Sequence, residues 1–162
     1  MEHLKRIQIP RWTNMLALED ARTDLIICSD ASLTGYGFTA YIRKYLSDES
    51  KISVNFLFSK SHVVPLNMLK KPVKAQQFHN DSIPMLELTA ATLAATYRDY
   101  FVRETGENFD HIHMFCDSQT VVKWIKDWER KFKTFHNFRL KRIRLLSNVN
   151  EWQYIHTKNN SA

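Results

Sequence analysis

The stretch "DLIICSDASLTGYGFTAYIRKY", Asp24 to Tyr45, decides the fold. Its first seven residues are an apolar run with β-branched members, which predicts a buried strand over Asp24 to Asp30. Gly35 to Tyr45 then offers aromatic and β-branched residues in rough alternation, and "ISVNFLFSK", Ile52 to Lys60, offers another set. The polar "LSDESK" between these two suggests a hairpin, so the first three strands are expected to be antiparallel. Beyond them, Ser61 to Asp81 is polar, has two prolines, and is expected to be loop. A helix is expected to open near Ser82 to Pro84, where proline is tolerated in the first turn, and to run through "MLELTAATLAATYRDYFV" to a stop at Gly106. A strand "HIHMFC" (His111 to Cys116), a short helix "SQTVVKWIKDW", a longer helix over Thr134 to Val149 and a last strand "EWQYIH" (Glu151 to His156) complete the series. Strands alternating with helices after an initial meander imply an α/β fold with a five-stranded mixed sheet flanked by helices. Residues 1–23 carry mixed charge and the break "IPRW" and are expected to be a lead-in, with the domain proper over 24–162.

At 162 residues the chain has the length of one domain. Its 44% hydrophobic and 25% charged residues are typical of a globular protein, and three Gly and four Pro argue against low complexity. Apolar runs are short and interrupted by charge, so neither a membrane span nor a secretion signal is expected. Cys28 and Cys116 form no CxxC pair and no zinc-type cluster, and are expected to be free, buried thiols. The net charge of +6 has a location: Ser118 to Asn150 holds nine Lys or Arg against Asp127 and Glu129, a local net of +7. That pattern suits a phosphate backbone, and a solvated helix face accounts for it equally well.

Three carboxylates stand in awkward places. Asp30 ends one apolar strand and Asp117 follows another, where ligands of mixed α/β sheets tend to bind. Each also fits an ordinary turn or helix cap, in "DAS" and "DSQ". Glu87 is the only charge in "MLELTAATLAATY", Met85 to Tyr97, and shares its helical face with Ala90, Ala91 and Ala94. A carboxylate on such a face needs a compensator: a cation, a salt bridge, or exposure at the helix edge. Together the three form an oxygen-only anionic set, the chemistry that Mg²⁺ and Mn²⁺ prefer and zinc does not. Paired ions of that kind clamp the attacking and leaving oxygens in phosphodiester hydrolysis, and the neighbouring basic region points to a nucleic-acid substrate.

The ordered set "IPRW", "CSDASLTGYGFTAYIR", "SKSHVVPL", "IPMLELTAA", "FCDSQTVVKWI", "FKTF" and W-x-Y-I resembles the ribonuclease H domain of Pao/BEL-type long-terminal-repeat retrotransposon polyproteins, over nearly the whole chain from Ile9 to Ala162. The resemblance implies a ribonuclease H-like fold and a metal-dependent endonuclease that cuts the RNA strand of RNA–DNA hybrids during reverse transcription. It implies two Mg²⁺ ions, with Mn²⁺ as substitute, and a polyprotein also carrying reverse transcriptase and integrase, in the cytoplasm within a virus-like particle. Asp30 matches the carboxylate that bridges both metals, and Glu87 and Asp117 match the two that complete the first metal's shell. Ser118 and Gln119 match contacts near the hybrid's minor groove, although Ser118 is equally a helix cap. Lys123 and Arg139 fall in the expected substrate surface. For Arg139, flanked by Phe135, Phe138, Leu146 and Val149, an ion pair with a carboxylate is preferred over a reach to substrate. His156 stands where a mobile histidine assists product release in cellular relatives.

Trp124 and Trp128, four residues apart, are expected to pack rather than stack on nucleic acid, and His79, His111, His113 and His136 show no metal-ligand spacing. An integrase-type site on the same fold needs an acidic residue on a late helix, and Thr134 to Val149 has none. The alternative of another class is a catalytically impaired or dead nucleic-acid-binding module of a polyprotein, which need not keep three carboxylates. The ending "WQYIHTKNNSA" aligns with a family stretch whose next residue is a fourth Asp opening a final helix. The domain is therefore expected to be truncated before its last helix, with a weak second metal site and impaired activity.

Overall fold

The computed structural model describes residues 21–46, 51–65 and 75–162, with backbone only for 75–82; the 1–20 part of the lead-in lies outside the described residues. Five strands, β1 (Arg22–Ala31), β2 (Gly35–Tyr45), β3 (Ile52–Val63), β4 (His111–Cys116) and β5 (Trp152–Tyr154), form one sheet in the order β3-β2-β1-β4-β5. β2 runs antiparallel to β1 and β3, whereas β4 is parallel to β1 and β5 to β4. The helices are α1 (Ala75–Glu104), α2 (Gln119–Lys126) and α3 (Thr134–Leu146).

Side-chain alternation explains where the core lies. The register sets Leu25 and Ile27 of β1 beside Ile42 and Ala40 of β2 and beside Ile112 and Met114 of β4, with Trp152 next to Met114. One sheet face thus collects the apolar set, and α1 lies on it through Ala90, Ala91, Ala94 and Ala95, all at most 1% exposed. Small side chains let that helix approach the sheet closely. At the far edge Trp152 is fully buried, and its indole N–H donates to Ser147 Oγ at 2.9 Å. The other face keeps a fully buried Asp24, to which Arg43 donates through Nε and Nη2 at 3.1 and 2.5 Å. Both cysteines are free and buried, as expected.

Several boundaries move. The long helix starts at Ala75, not near Ser82, and Pro84 sits inside it. Proline removes one backbone donor and favours a helix start without requiring one, so the true start lay upstream in what reads as polar loop. β3 runs on to Val63, where its pairing with Gly35 still holds. The last two helices end early, at Asp127 and Ser147, which adopt extended backbone angles. β5 keeps three residues, since only Trp152 to Tyr154 pair with β4.

The strand pair beside the carboxylates depends on Gly37. A Cβ there would lie 2.7 Å from the Lys60 carbonyl oxygen and 3.1 Å from Ser61 Cα, both backbone atoms of β3. Gly37→Ala is therefore expected to push β3 away next to Asp30 and to cost about 1–3 kcal/mol, measurable by urea unfolding. A cost below a few tenths would show that β3 gives way freely.

Candidate active site

Asp30 lies at the carboxyl end of β1, Asp117 directly after β4, and Glu87 on α1, where the helix passes these two strand ends. The parallel pairing of β1 with β4, from Asp24–His111 to Ser29–Cys116, carries the two Asp to the same end of neighbouring strands. Leu86 and Leu88, 3% and 0% exposed, fix the orientation of α1 on either side of Glu87. Glu87 and Asp117 are half-buried, as is Asp30.

Burial is the largest cause that lifts the Glu87 carboxyl above the usual range; the Ser118 hydroxyl pulls it back, and the charges of Asp117 and Asp30 push it up further. Burial also raises Asp117, followed by the charge of Asp30, while Thr157 works the other way. The three carboxylates therefore feel one another, and none of them is in an ion pair among the described residues. Asp117 Oδ1 is buried without a hydrogen-bond partner. An orphaned anionic oxygen inside a cluster of like charge is an arrangement that a cation relieves. Among the described residues no three His, Cys, Asp or Glu side chains are grouped closely enough to hold an ion as they stand, so metal binding would require the carboxylates to draw together. The donor set, all hard oxygens, fits Mg²⁺ or Mn²⁺.

Local hydrogen bonds set the frame. Asp30 Oδ1 accepts from the Ala31 N–H at 2.7 Å, the turn role open to it from sequence. Ser118, 6% exposed, caps α2 by accepting from the Val121 N–H at 3.3 Å. The next residue, Gln119, is exposed. Lys123 is exposed on the same helix, and the cleft around it is lined by Thr120, Trp124, Lys126 and Arg130. Lys131, Lys133, Lys141 and Arg142 are exposed as well. Arg144 turns inward, donating to the carbonyls of Trp124, Ile125 and Asp127 at 2.6–3.1 Å. Trp124 packs against the core, as expected. Trp128 does not: it is 65% exposed and lies against the Arg144 guanidinium, 4.3 Å from the ring centre.

Arg139 makes no ion pair among the described residues, contrary to the preferred expectation. Its charge is held by Thr89 and the Phe135 ring instead. His156 is exposed and its Nδ1 accepts from the Lys158 N–H at 3.3 Å, closing the turn that brings Thr157 to Asp117. Two participants escaped the sequence reading. Thr157 influences Asp117, and Asn160 donates its amide to the Ser29 carbonyl at 3.1 Å, tying the end of the chain to β1 next to Asp30. Their only signal was the polar run "HTKNNS", which suggests a cap as readily as a tether.

The family described as Pao retrotransposon-like RNaseH-like domain matches residues 1–118. Among solved structures, the chain is similar to the N-terminal RNase H domain of a Mycobacterium tuberculosis protein, solved as a fusion with maltose-binding protein. That similarity has 14% identity, covers 86% of each chain and reaches a TM-score of 0.50. It is also similar to RNase H1 of the halophilic archaeon Halobacterium salinarum, at 14% identity, 86% and 89% coverage and a TM-score of 0.46. No curated protein matches. The first likeness shows a ribonuclease H-like fold, in agreement with the five-stranded mixed sheet.

Proposed function

The chain belongs to the Pao retrotransposon-like RNaseH-like domain family, and on that premise we propose that it is a metal-dependent endonuclease that hydrolyses the RNA strand of RNA–DNA hybrids. The observation that carries this reading is the convergence of Asp30, Glu87 and Asp117, each half-buried, with the buried Oδ1 of Asp117 unpartnered. A structural role alone gives no reason to gather three negative charges at a cost.

Asp30, Glu87 and Asp117 would hold the divalent cations. Mg²⁺, or Mn²⁺ in its place, would supply an activated water and neutralise charge on the phosphate. The chain's own share is positioning. Ser118, held by its cap bond to Val121, favours the charged form of Glu87. Asn160 braces the strand end that carries Asp30, and Thr157 favours the charged form of Asp117. Gln119 and Lys123, exposed on α2, would meet the hybrid, Gln119 near the 2′-hydroxyls that distinguish RNA. In-line attack of water on the scissile phosphate breaks its bond to the 3′-oxygen and leaves a 3′-hydroxyl and a 5′-phosphate. The setting proposed for the reaction is reverse transcription in a cytoplasmic particle, beside reverse transcriptase and integrase. Among the described residues no helix is long and apolar enough to cross a membrane.

The substrate class is tested with end-labelled RNA–DNA hybrid, duplex RNA and duplex DNA of one sequence, each incubated with Mn²⁺. Cleavage confined to the RNA of the hybrid is expected. Failure to cut it, by the chain and by any longer native form of it, would overturn the proposal.

A further inference from the structure

The arginines of this chain differ in what they hold. Arg43 pairs with Asp24, Arg98 with Glu151 and Arg103 with Asp99, and Arg144 is occupied by three carbonyls. Arg139 is half-buried like several of these, yet no carboxylate among the described residues pairs with it. Its Nε donates to the neutral Thr89 hydroxyl at 3.2 Å, and Nη1 reaches the Phe135 carbonyl only at 3.5 Å. The guanidinium lies 3.5 Å from the centre of the Phe135 ring. Burial, the largest influence on it, lowers its pKa, as desolvation does to a cation.

Two features make this more than an unsatisfied side chain. Thr89 and Phe135 fix the plane of the fork, and Nη2 makes no hydrogen bond among the described residues. The other group that acts on Arg139 is Tyr36, which stacks on His62 with ring centres 5.5 Å apart and lines the cleft that contains Asp30. Arg139 therefore stands against Thr89 of α1 and on the side of the sheet end that carries Tyr36 and Asp30.

We propose that Arg139 is a preset contact for a backbone phosphodiester of the bound nucleic acid, with Thr89 and Phe135 as its positioning residues. The proposal rests on the nucleic-acid reading above and adds a specific anchor to it. A desolvated, oriented guanidinium gains a charge-assisted, bidentate bond at little further cost in desolvation or ordering. A phosphodiester offers the two oxygens that the fork matches.

The test is fluorescence anisotropy of a labelled RNA–DNA hybrid with Ca²⁺, between about 50 and 200 mM salt, for the wild type, Arg139→Gln, Arg139→Lys and Thr89→Val. Arg139→Gln is expected to weaken binding about 10- to 100-fold and to lower the log–log salt slope by about 0.9, one phosphate's worth. Arg139→Lys should keep the slope and lose affinity, since a point charge replaces the fork. Thr89→Val should also keep the slope with a smaller loss. An unchanged slope in Arg139→Gln overturns the proposal. If that variant also melts several degrees lower, the arginine is a structural partner of an acidic group. RNA cleavage with Mn²⁺ is read separately. Cleavage with an unchanged slope sinks the anchor alone, a reduced slope without cleavage by the chain and by any longer native form of it sinks the nuclease reading alone, and a wild type that does not bind hybrid overturns both.

Discussion

Replacing Glu87 by Gln is expected to reduce metal-dependent cleavage by at least about 10²–10³-fold, the scale of losing one preorganised electrostatic group, while leaving the metal-free protein as stable as before or more so. Most single substitutions in half-buried sites destabilise, so the combination is diagnostic. It follows from the cause of the raised Glu87 pKa, namely burial first and the neighbouring charges of Asp117 and Asp30 after it. An acid whose folded pKa lies above its unfolded value binds more protons when folded, and stability then falls as pH rises. In metal-free buffer the wild type should therefore lose stability as pH climbs from the ordinary carboxylate range through the raised values of Glu87 and Asp117. Glu87→Gln should flatten that slope. Thermal melts across this window, with EDTA, measure both effects. Strong destabilisation by Glu87→Gln at neutral pH would mean that Glu87 holds the fold through a partner of opposite charge, and the metal account would fail with it.

Trp152→Ala should produce the largest loss of stability, about 3–5 kcal/mol, or on the order of 10 °C in melting temperature for a chain of this size. Trp152 is fully buried, belongs to the core cluster, and sits on a strand only three residues long. Its indole N–H donates to Ser147 Oγ, and Ser147 in turn donates to the Ile143 carbonyl at the end of α3. Removing the ring thus opens a cavity under β5 and releases the helix end from the sheet. Because the parallel β4–β5 pairing ends at Cys116 and Tyr154, next to Asp117, activity should fall with stability. Trp152→Phe keeps most of the volume and should cost much less. Equal melting temperatures for Trp152→Ala and wild type would show that β5 is not held by this contact.

Much of the fold was legible because its signals are local and strong. The run Asp24 to Asp30 and the aromatic alternation of Gly35 to Tyr45 mark strands whatever surrounds them, and both strands form nearly as drawn. The helix start was misplaced because Pro84 resembles a first-turn residue, and whether it is one depends on the backbone before it. The three carboxylates could be picked out singly, since each breaks an apolar pattern. That Glu87 and Asp117 are lifted by burial, and that Asn160 returns to brace the end of β1, depends on contacts across the chain that no spacing encodes. Arg139 is the sharpest case: its apolar helical neighbours suggested a buried pair, and among the described residues a ring and a hydroxyl hold it in place of a carboxylate. Trp128 fails for a related reason, because α2 ends at Lys126 and the position that would have faced the core falls in an exposed turn.

In the proposed reaction the carboxylates gathered around Asp30 hold the metal ions on which hydrolysis depends. The most direct test is a single gel: RNA–DNA hybrid with labelled RNA and Mn²⁺, cut by the wild type and by Asp30→Asn after melts have shown both to be folded. The account predicts RNA fragments with 5′-phosphate and 3′-hydroxyl ends from the wild type and none above background from Asp30→Asn. Equal cleavage by the two proteins, or fragments with other ends, would contradict it.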